Sequence, residues 1–92
     1  MANDLTHNPL ILDTAAVISA ANTFVILKIQ FRGAAAGDVA IFEDGIGREI
    51  ARLSAPAAGA IDELDFTARP FTVIGLELAS IAASGIAHVY VD

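Results

Sequence analysis

The amino-acid sequence predicts a single-domain, all-β protein, an antiparallel β-sandwich or jelly-roll-like barrel of about seven to eight strands. Short apolar segments with a period of two residues recur along the chain, which is typical of strands. Turn-forming Gly, Pro and Asp residues separate these segments. No stretch carries an apolar stripe at helical spacing for more than one or two turns. The predicted strands are 10–12, 16–19, 23–32, 39–43, 48–53, 60–66, 71–78 and 86–91.

The first eight residues are polar and have no periodic pattern. We therefore expect residues 1–8 to form a flexible N-terminal arm and residues 9–92 to form the β-sandwich domain. Pro9 is tolerated at the start of the first strand. Asp13 and Thr14 interrupt the apolar pattern, which resumes at 16–19.

The segment Thr23–Arg32 is the strongest strand prediction. Val25, Leu27, Ile29 and Phe31 alternate with polar Lys28, Gln30 and Arg32, as in a half-buried strand. The first half of the segment is apolar on both faces. We therefore expect the residues from Phe24 to Leu27 to be covered both by the core and by a neighbouring chain.

A hairpin is predicted next, because Asp44-Gly45-Ile46-Gly47 supplies the positive-φ positions of a tight turn. The strand after it places Arg48, Ile50 and Arg52 on one face. Nearly all the positive charge of the chain is carried by Arg32, Arg48, Arg52 and Arg69. Either these arginines lie on a solvent face and form ion pairs within the chain, or they dock on an acidic partner.

The last three predicted strands complete the domain. Segment 60–66 is acidic and reads as a strand, with a short helical turn as the alternative. In segment 71–78 the pattern places Phe71 and Val73 on one face, opposite Thr72, Ile74, Leu76 and Leu78. The predicted core contains Leu27, Ile29, Phe31, Ile41, Val73 and Val89.

The composition favours association with other proteins. Hydrophobic residues make up 55% of the 92 residues, and the mean hydropathy is +0.64. A domain of this size has little interior in which to bury them. With a net charge of −6 and five Lys and Arg residues, the chain lacks the basic surface of a nucleic-acid or membrane binder. The N-terminus has no signal-peptide pattern, and no apolar run approaches membrane-spanning length.

The sequence offers no catalytic motif. It has no cysteine, two histidines (His7 and His88), no serine in a nucleophile elbow and no phosphate-binding loop. Asp62, Glu63 and Asp65 lack the order of a calcium loop, so a solvated acidic edge is expected. We predict a non-enzymatic protein without catalytic residues, cofactor or metal. The candidate interface residues are Phe24, Ile26, Arg48, Arg52, His88 and Tyr90.

The chain resembles small, strand-rich structural proteins of tailed bacteriophage particles. The resemblance lies in three stretches, from Val25 to Gly33, from Val39 to Ile50 and from Ser84 to Val91. It implies a capsid decoration (cement) protein that stabilises the shell. Such a protein is assembled in the bacterial cytoplasm into the virion, forms homotrimers, and binds the major capsid protein rather than nucleic acid or membrane. The alternative is a host- or carbohydrate-binding β-sandwich module of a tail fibre or spike.

Overall fold

The structure, a computed structural model, describes residue 3 and residues 8–92. These residues form seven antiparallel strands and no helix, which confirms the all-β prediction. None of them belongs to a helix that could cross a membrane. The strands are β1 (Leu10–Leu12), β2 (Ala16–Arg32), β3 (Val39–Glu43), β4 (Glu49–Ser54), β5 (Ile61–Asp65), β6 (Phe71–Ile81) and β7 (Ile86–Val91).

Strand β2 organises the sheet. Its 17 residues merge two segments that the sequence predicts as separate strands, 16–19 and 23–32. The strand is irregular where they join, and there the Ser19 hydroxyl accepts the N–H groups of Ala21 and Asn22 at 3.4 and 3.1 Å. The first half of β2 pairs with β6, and the last part pairs with β7 and β5.

The sheet folds over on itself because two strands, β6 and then β5, pair with successive parts of the same edge of β2. Ile26 pairs with both Phe71 of β6 and Val91 of β7, so these strands lie on opposite edges of β2. Strand β5 follows β6 along the same edge, and the sheet continues from β6 through β3 to β4. Strand β4 returns to β5, where the Asp62 carboxylate accepts the N–H of Ser54 at 2.9 Å. This arrangement encloses a single core.

A β-bulge changes which side chains of β2 face the core. The pairing with β7 shifts register between Ile26 and Lys28. Ile26, Ile29 and Phe31 are therefore the fully buried residues of this segment, while Leu27 is half-buried. The sequence pattern had placed Leu27 inside, which is wrong because the bulge adds one residue and reverses the alternation.

Strand β6 contains a second irregularity, at Gly75. Its φ of +76° is a left-handed conformation that favours glycine. Val73, Leu76 and Leu78 are all buried, although strict alternation predicts that Val73 lies opposite the two leucines. The predicted pattern is confirmed up to Ile74, which is exposed opposite Val73. It is wrong for Leu76 and Leu78, because Gly75 shifts the alternation between Val73 and Leu76.

The core is built from all strands except β5. Of the predicted core residues, Ile29, Phe31, Val73 and Val89 are buried, whereas Leu27 and Ile41 are half-buried. Within the single chain Ile26 is buried, while Phe24, Val25 and Leu27 are half-buried, and a partner that covers this segment stays a prediction. The buried residues of the core are Leu10, Leu12, Ile26, Ile29, Phe31, Ala40, Phe42, Ala51, Leu53, Ala55, Val73, Leu76, Leu78, Ala87 and Val89.

Two residues of the predicted arm contact the domain. The Asn3 side chain accepts the N–H groups of Asp13 and Thr14 at 2.9 and 3.0 Å. The Asn8 side chain bonds both the N–H and the carbonyl oxygen of Val91. The rest of the predicted arm, residues 1–2 and 4–7, lies outside the described residues.

Candidate functional site

The predicted interface residues do not form one surface. Ile26 is 0% exposed and lies in the core of its own chain, so its side chain is not available to a partner. Phe24 is half-buried and packs against the same core. His88 and Tyr90 face outward from β7, and Arg48 and Arg52 lie elsewhere, at and after the β3–β4 turn.

Of the four arginines considered from the sequence, Arg48 and Arg52 form ion pairs within the chain, whereas Arg32 and Arg69 form none with any described residue. The Arg48 Nε lies 3.0 Å from Asp44 Oδ2, and the Arg52 Nη2 lies 2.7 Å from Glu49 Oε1. The Arg52 guanidinium lowers the pKa of the Glu49 carboxyl below its ordinary value. The Arg52–Glu49 pair is exposed on both sides, and such pairs contribute little stability. The main effect of the two ion pairs is that neither Arg48 nor Arg52 presents an uncompensated charge to a partner.

The outer surface of β7, β2 and β5 carries the most connected set of polar side chains. We call it the Tyr90 face. Its residues stand in rows across the strands, because the pairing places Tyr90 beside Lys28, His88 beside Gln30, and Ile86 beside Arg32. Strand β5 extends these rows with Asp65, Glu63 and Ile61, respectively. Outward positions of paired strands lie close enough for such side chains to interact.

Contacts across the Tyr90 face hold its side chains in place. The Lys28 ammonium lies 5.3 Å from the centroid of the Tyr90 ring, a cation–π geometry, and 4.0 Å from Glu63 Oε1. The Gln30 amide donates to Glu63 Oε1 at 2.7 Å, and the Tyr90 hydroxyl donates to Gln30 Oε1 at 3.4 Å. Four side chains from three strands are therefore linked before any ligand binds.

The third row of the Tyr90 face is different, since its charge is unpaired. Arg32 is exposed, stands between Ile86 and Ile61, and has no ion pair with any described residue. Together with Gln30 and His88, these three side chains line a shallow cavity of about 120 Å³. The cavity combines a guanidinium, an imidazole and an amide with two branched apolar walls.

The acidic residues of β5 do not form a metal site. The Asp62 carboxylate is used by the Ser54 N–H, and Glu63 is used by Gln30 and Lys28. Asp65 accepts the hydroxyl and the N–H of Thr67, and these bonds, the hydroxyl first, lower the pKa of its carboxyl. Among the described residues, no three His, Asp or Glu side chains are grouped so as to hold a metal ion.

A groove of about 680 Å³ lies on a second surface, where the β3–β4 turn approaches β6 and β2. We call it the hairpin groove. Ile46 and Ile74 line it and are 77% and 66% exposed. The groove is also lined by polar and aromatic side chains, namely Arg48, Thr72 and Phe71. A groove with large exposed apolar side chains at its edge suits contact with another protein.

Asp44 fixes the turn at one end of this groove. The residue is 5% exposed, and its carboxylate accepts the N–H groups of Arg48 and Ile46 at 2.9 and 3.1 Å. The Arg48 N–H is the largest cause that lowers the pKa of Asp44, and its guanidinium adds to the effect. The turn therefore holds Ile46 outward through a charged, hydrogen-bonded carboxylate.

The structure therefore places two groups of side chains in fixed positions, one on the Tyr90 face and one at the hairpin groove. Of the functional candidates considered from the sequence, His88, Tyr90 and Arg32 lie on the Tyr90 face, whereas Ile46 and Ile74 of the hairpin groove were not among them. A signal for Arg32 was present, since Lys28, Gln30 and Arg32 alternate with the buried residues of β2 and so share an outer face. A signal for Ile74 was also present, since alternation places it opposite Val73, which was predicted to lie in the core.

Comparison with protein-family models, curated proteins and solved structures finds no match to this chain.

Proposed function

We propose that the chain is a non-enzymatic structural protein of a tailed-bacteriophage virion, a decoration protein that binds the major capsid protein and stabilises the shell. The observation that carries the proposal is the pair of exposed isoleucines, Ile46 and Ile74, at the hairpin groove. The chain already buries a complete core, so these side chains are not needed to build it. Exposed branched residues beside one groove are typical of a surface that binds another protein.

The phage origin of this proposal rests on the sequence resemblance. The physical features are compatible with it, since a particle component acts through fixed contacts. The ion pairs of Asp44 with Arg48, and the linked side chains of the Tyr90 face, give such surfaces a defined shape without a ligand. A preorganised surface loses less entropy when it docks.

The alternative, a host- or carbohydrate-binding module, is less well supported. Sugar-binding sites commonly stack the ligand on an exposed aromatic ring. Tyr90 is half-buried, and the Lys28 ammonium lies over its ring. The Phe66 and Phe71 rings, half-buried, pack against each other with centroids 5.6 Å apart. These contacts favour the decoration hypothesis over the sugar-binding one.

The test is binding of the purified protein to phage shells from which it has been stripped. We expect it to saturate the shells at a fixed number of copies and to raise the temperature at which they break. An Ile46→Asp/Ile74→Asp variant should bind at least tenfold more weakly. Its control is Ala57→Asp/Ala58→Asp, which adds the same charge at two exposed residues of the β4–β5 loop.

Mass spectrometry of purified virions provides the second measurement. The protein should be present in a copy number that matches the shell lattice. Its absence from virions would contradict the proposal. So would its presence in tail fibres alone, together with binding to host polysaccharide, which would support the alternative.

A further inference from the structure

Two rows of outward-facing side chains on this chain carry opposite charges. No hydrogen bond or ion pair among the described residues joins one row to the other. The first, the Arg32 row, consists of Ile86, Arg32 and Ile61 in register on β7, β2 and β5. Ile61 is 48% exposed, and Arg32 is exposed without an ion pair among the described residues. The row therefore presents one uncompensated cation between two apolar side chains.

The second, the glutamate row, crosses the other part of the sheet. Glu77 of β6 pairs with Glu43 of β3, which pairs with Glu49 of β4. Arg52 compensates Glu49, but Glu77 and Glu43 have no cation near them among the described residues. Like charges directly opposite each other destabilise a sheet. On the β2 side the row continues with Val17, which pairs with Glu77 and is 57% exposed.

The two rows are complementary. A guanidinium placed between two carboxylates can bond both through its planar set of N–H groups, and it removes their mutual repulsion. An isoleucine beside the guanidinium then covers the exposed Val17. Both rows span adjacent strands at the same spacing of about 4.8 Å, so their side chains can align.

We propose that the Arg32 row of one copy docks on the glutamate row of a second copy, with Arg32 between Glu43 and Glu77. This inference rests on the proposed function, for which it names the surfaces of self-association. The two surfaces are different, so each copy offers one row and accepts another. Such a head-to-tail contact closes into a ring when the rotation allows it, and three copies would suit a threefold position of a shell.

The experiment is light scattering after size-exclusion chromatography, on the full chain over a dilution series at micromolar concentrations. Wild type should form a closed oligomer. Arg32→Glu and Glu77→Arg should each weaken association at least tenfold and elute as monomers. An equimolar mixture of the two variants should form a complex with one copy of each, because the Arg32 row of the Glu77→Arg variant can dock on the glutamate row of the Arg32→Glu variant.

The control is Arg69→Glu, which makes the same charge change in the β5–β6 loop, outside both rows, and should assemble as wild type does. Circular dichroism and urea unfolding should show that every variant keeps the wild-type fold. A monomeric wild type, or an Arg32→Glu variant that assembles normally, overturns the inference. Neither result would contradict the proposed function, because that proposal is tested by the binding of the protein to shells.

Discussion

At the scale of single residues, two glycines allow the β3–β4 turn to dock on β6. The Gly45 N–H donates to the carbonyl oxygen of Ile74 at 3.0 Å. A Cβ atom on Gly75 would lie 2.4 Å from the Gly45 Cα, and one on Gly45 would lie 2.4 Å from the Ala20 carbonyl oxygen. All these neighbours are backbone atoms and cannot move aside alone. The backbone contact between turn and strand therefore requires glycine at both positions.

We expect Gly75→Ala to destabilise the protein by about 2–5 kcal/mol. Its left-handed conformation costs an alanine about 1–2 kcal/mol, and the clash with the turn adds about 1–3 kcal/mol. The matched control is Gly59→Ala, which also has a positive φ, +72°, but has open space around the added Cβ. It should cost only about 1–2 kcal/mol. Equal urea midpoints for the two variants would refute the docking argument.

At the scale of elements, two irregularities adapt long strands to a small closed sheet. Strand β2 changes its inward face between Ile26 and Ile29, at the point where it passes from pairing with β6 to pairing with β5. Strand β6 does the same at Gly75. Bulges bend strands and increase their twist, which is how a continuous strand can take part in both sides of a curved sheet.

Simple alternation predicts that truncating Leu27 costs more stability than truncating Ile26, and the bulge in β2 predicts the reverse. Ile26→Ala should destabilise the protein by about 2–5 kcal/mol, because the side chain is fully buried. Leu27→Ala should cost less than about 2 kcal/mol, because that side chain is half-buried. Chemical denaturation of the two variants measures the difference. A larger loss for Leu27→Ala would mean that β2 runs without the bulge.

At the scale of the whole molecule, the core is complete within one chain while the surface is acidic. The chain has eleven acidic and five basic residues, so it carries a net charge of −6 at neutral pH. Among the described residues, three carboxyls have lowered pKa values because they are hydrogen-bonded or paired in the fold, namely Asp44, Glu49 and Asp65. The stability of the protein is therefore linked to pH through specific contacts.

We expect the free energy of unfolding to fall in acid. In the unfolded chain the pKa of these three carboxyls is close to 3.8 for Asp and 4.5 for Glu, so their contribution to stability is complete above about pH 5. This contribution is lost as the pH falls through the lowered pKa values that the carboxyls have in the folded state. Urea unfolding between pH 7 and pH 2 measures the slope. Asp44→Asn should lower stability at pH 7 and reduce the loss in acid, and an unchanged slope would count against the role of Asp44.

The amino-acid sequence by itself determined the all-β class, the positions of most strands and the β3–β4 turn. These features depend on local chemistry: alternation of apolar residues, and Gly and Asp at turns. It also placed Lys28, Gln30 and Arg32 together on an outer face, and two of the six predicted interface residues, His88 and Tyr90, lie on that face in the structure.

Only the tertiary structure decided which side chains around the two bulges face the core. Ile26 and Leu27 are both apolar, so composition cannot tell which is buried, and the answer depends on where β6 ends and β5 begins along the edge of β2. Likewise, Glu43 and Glu77 are 34 positions apart and become neighbours only through the pairing of β3 with β6. Cross-strand rows are set by long-range register, which no local pattern in the chain encodes.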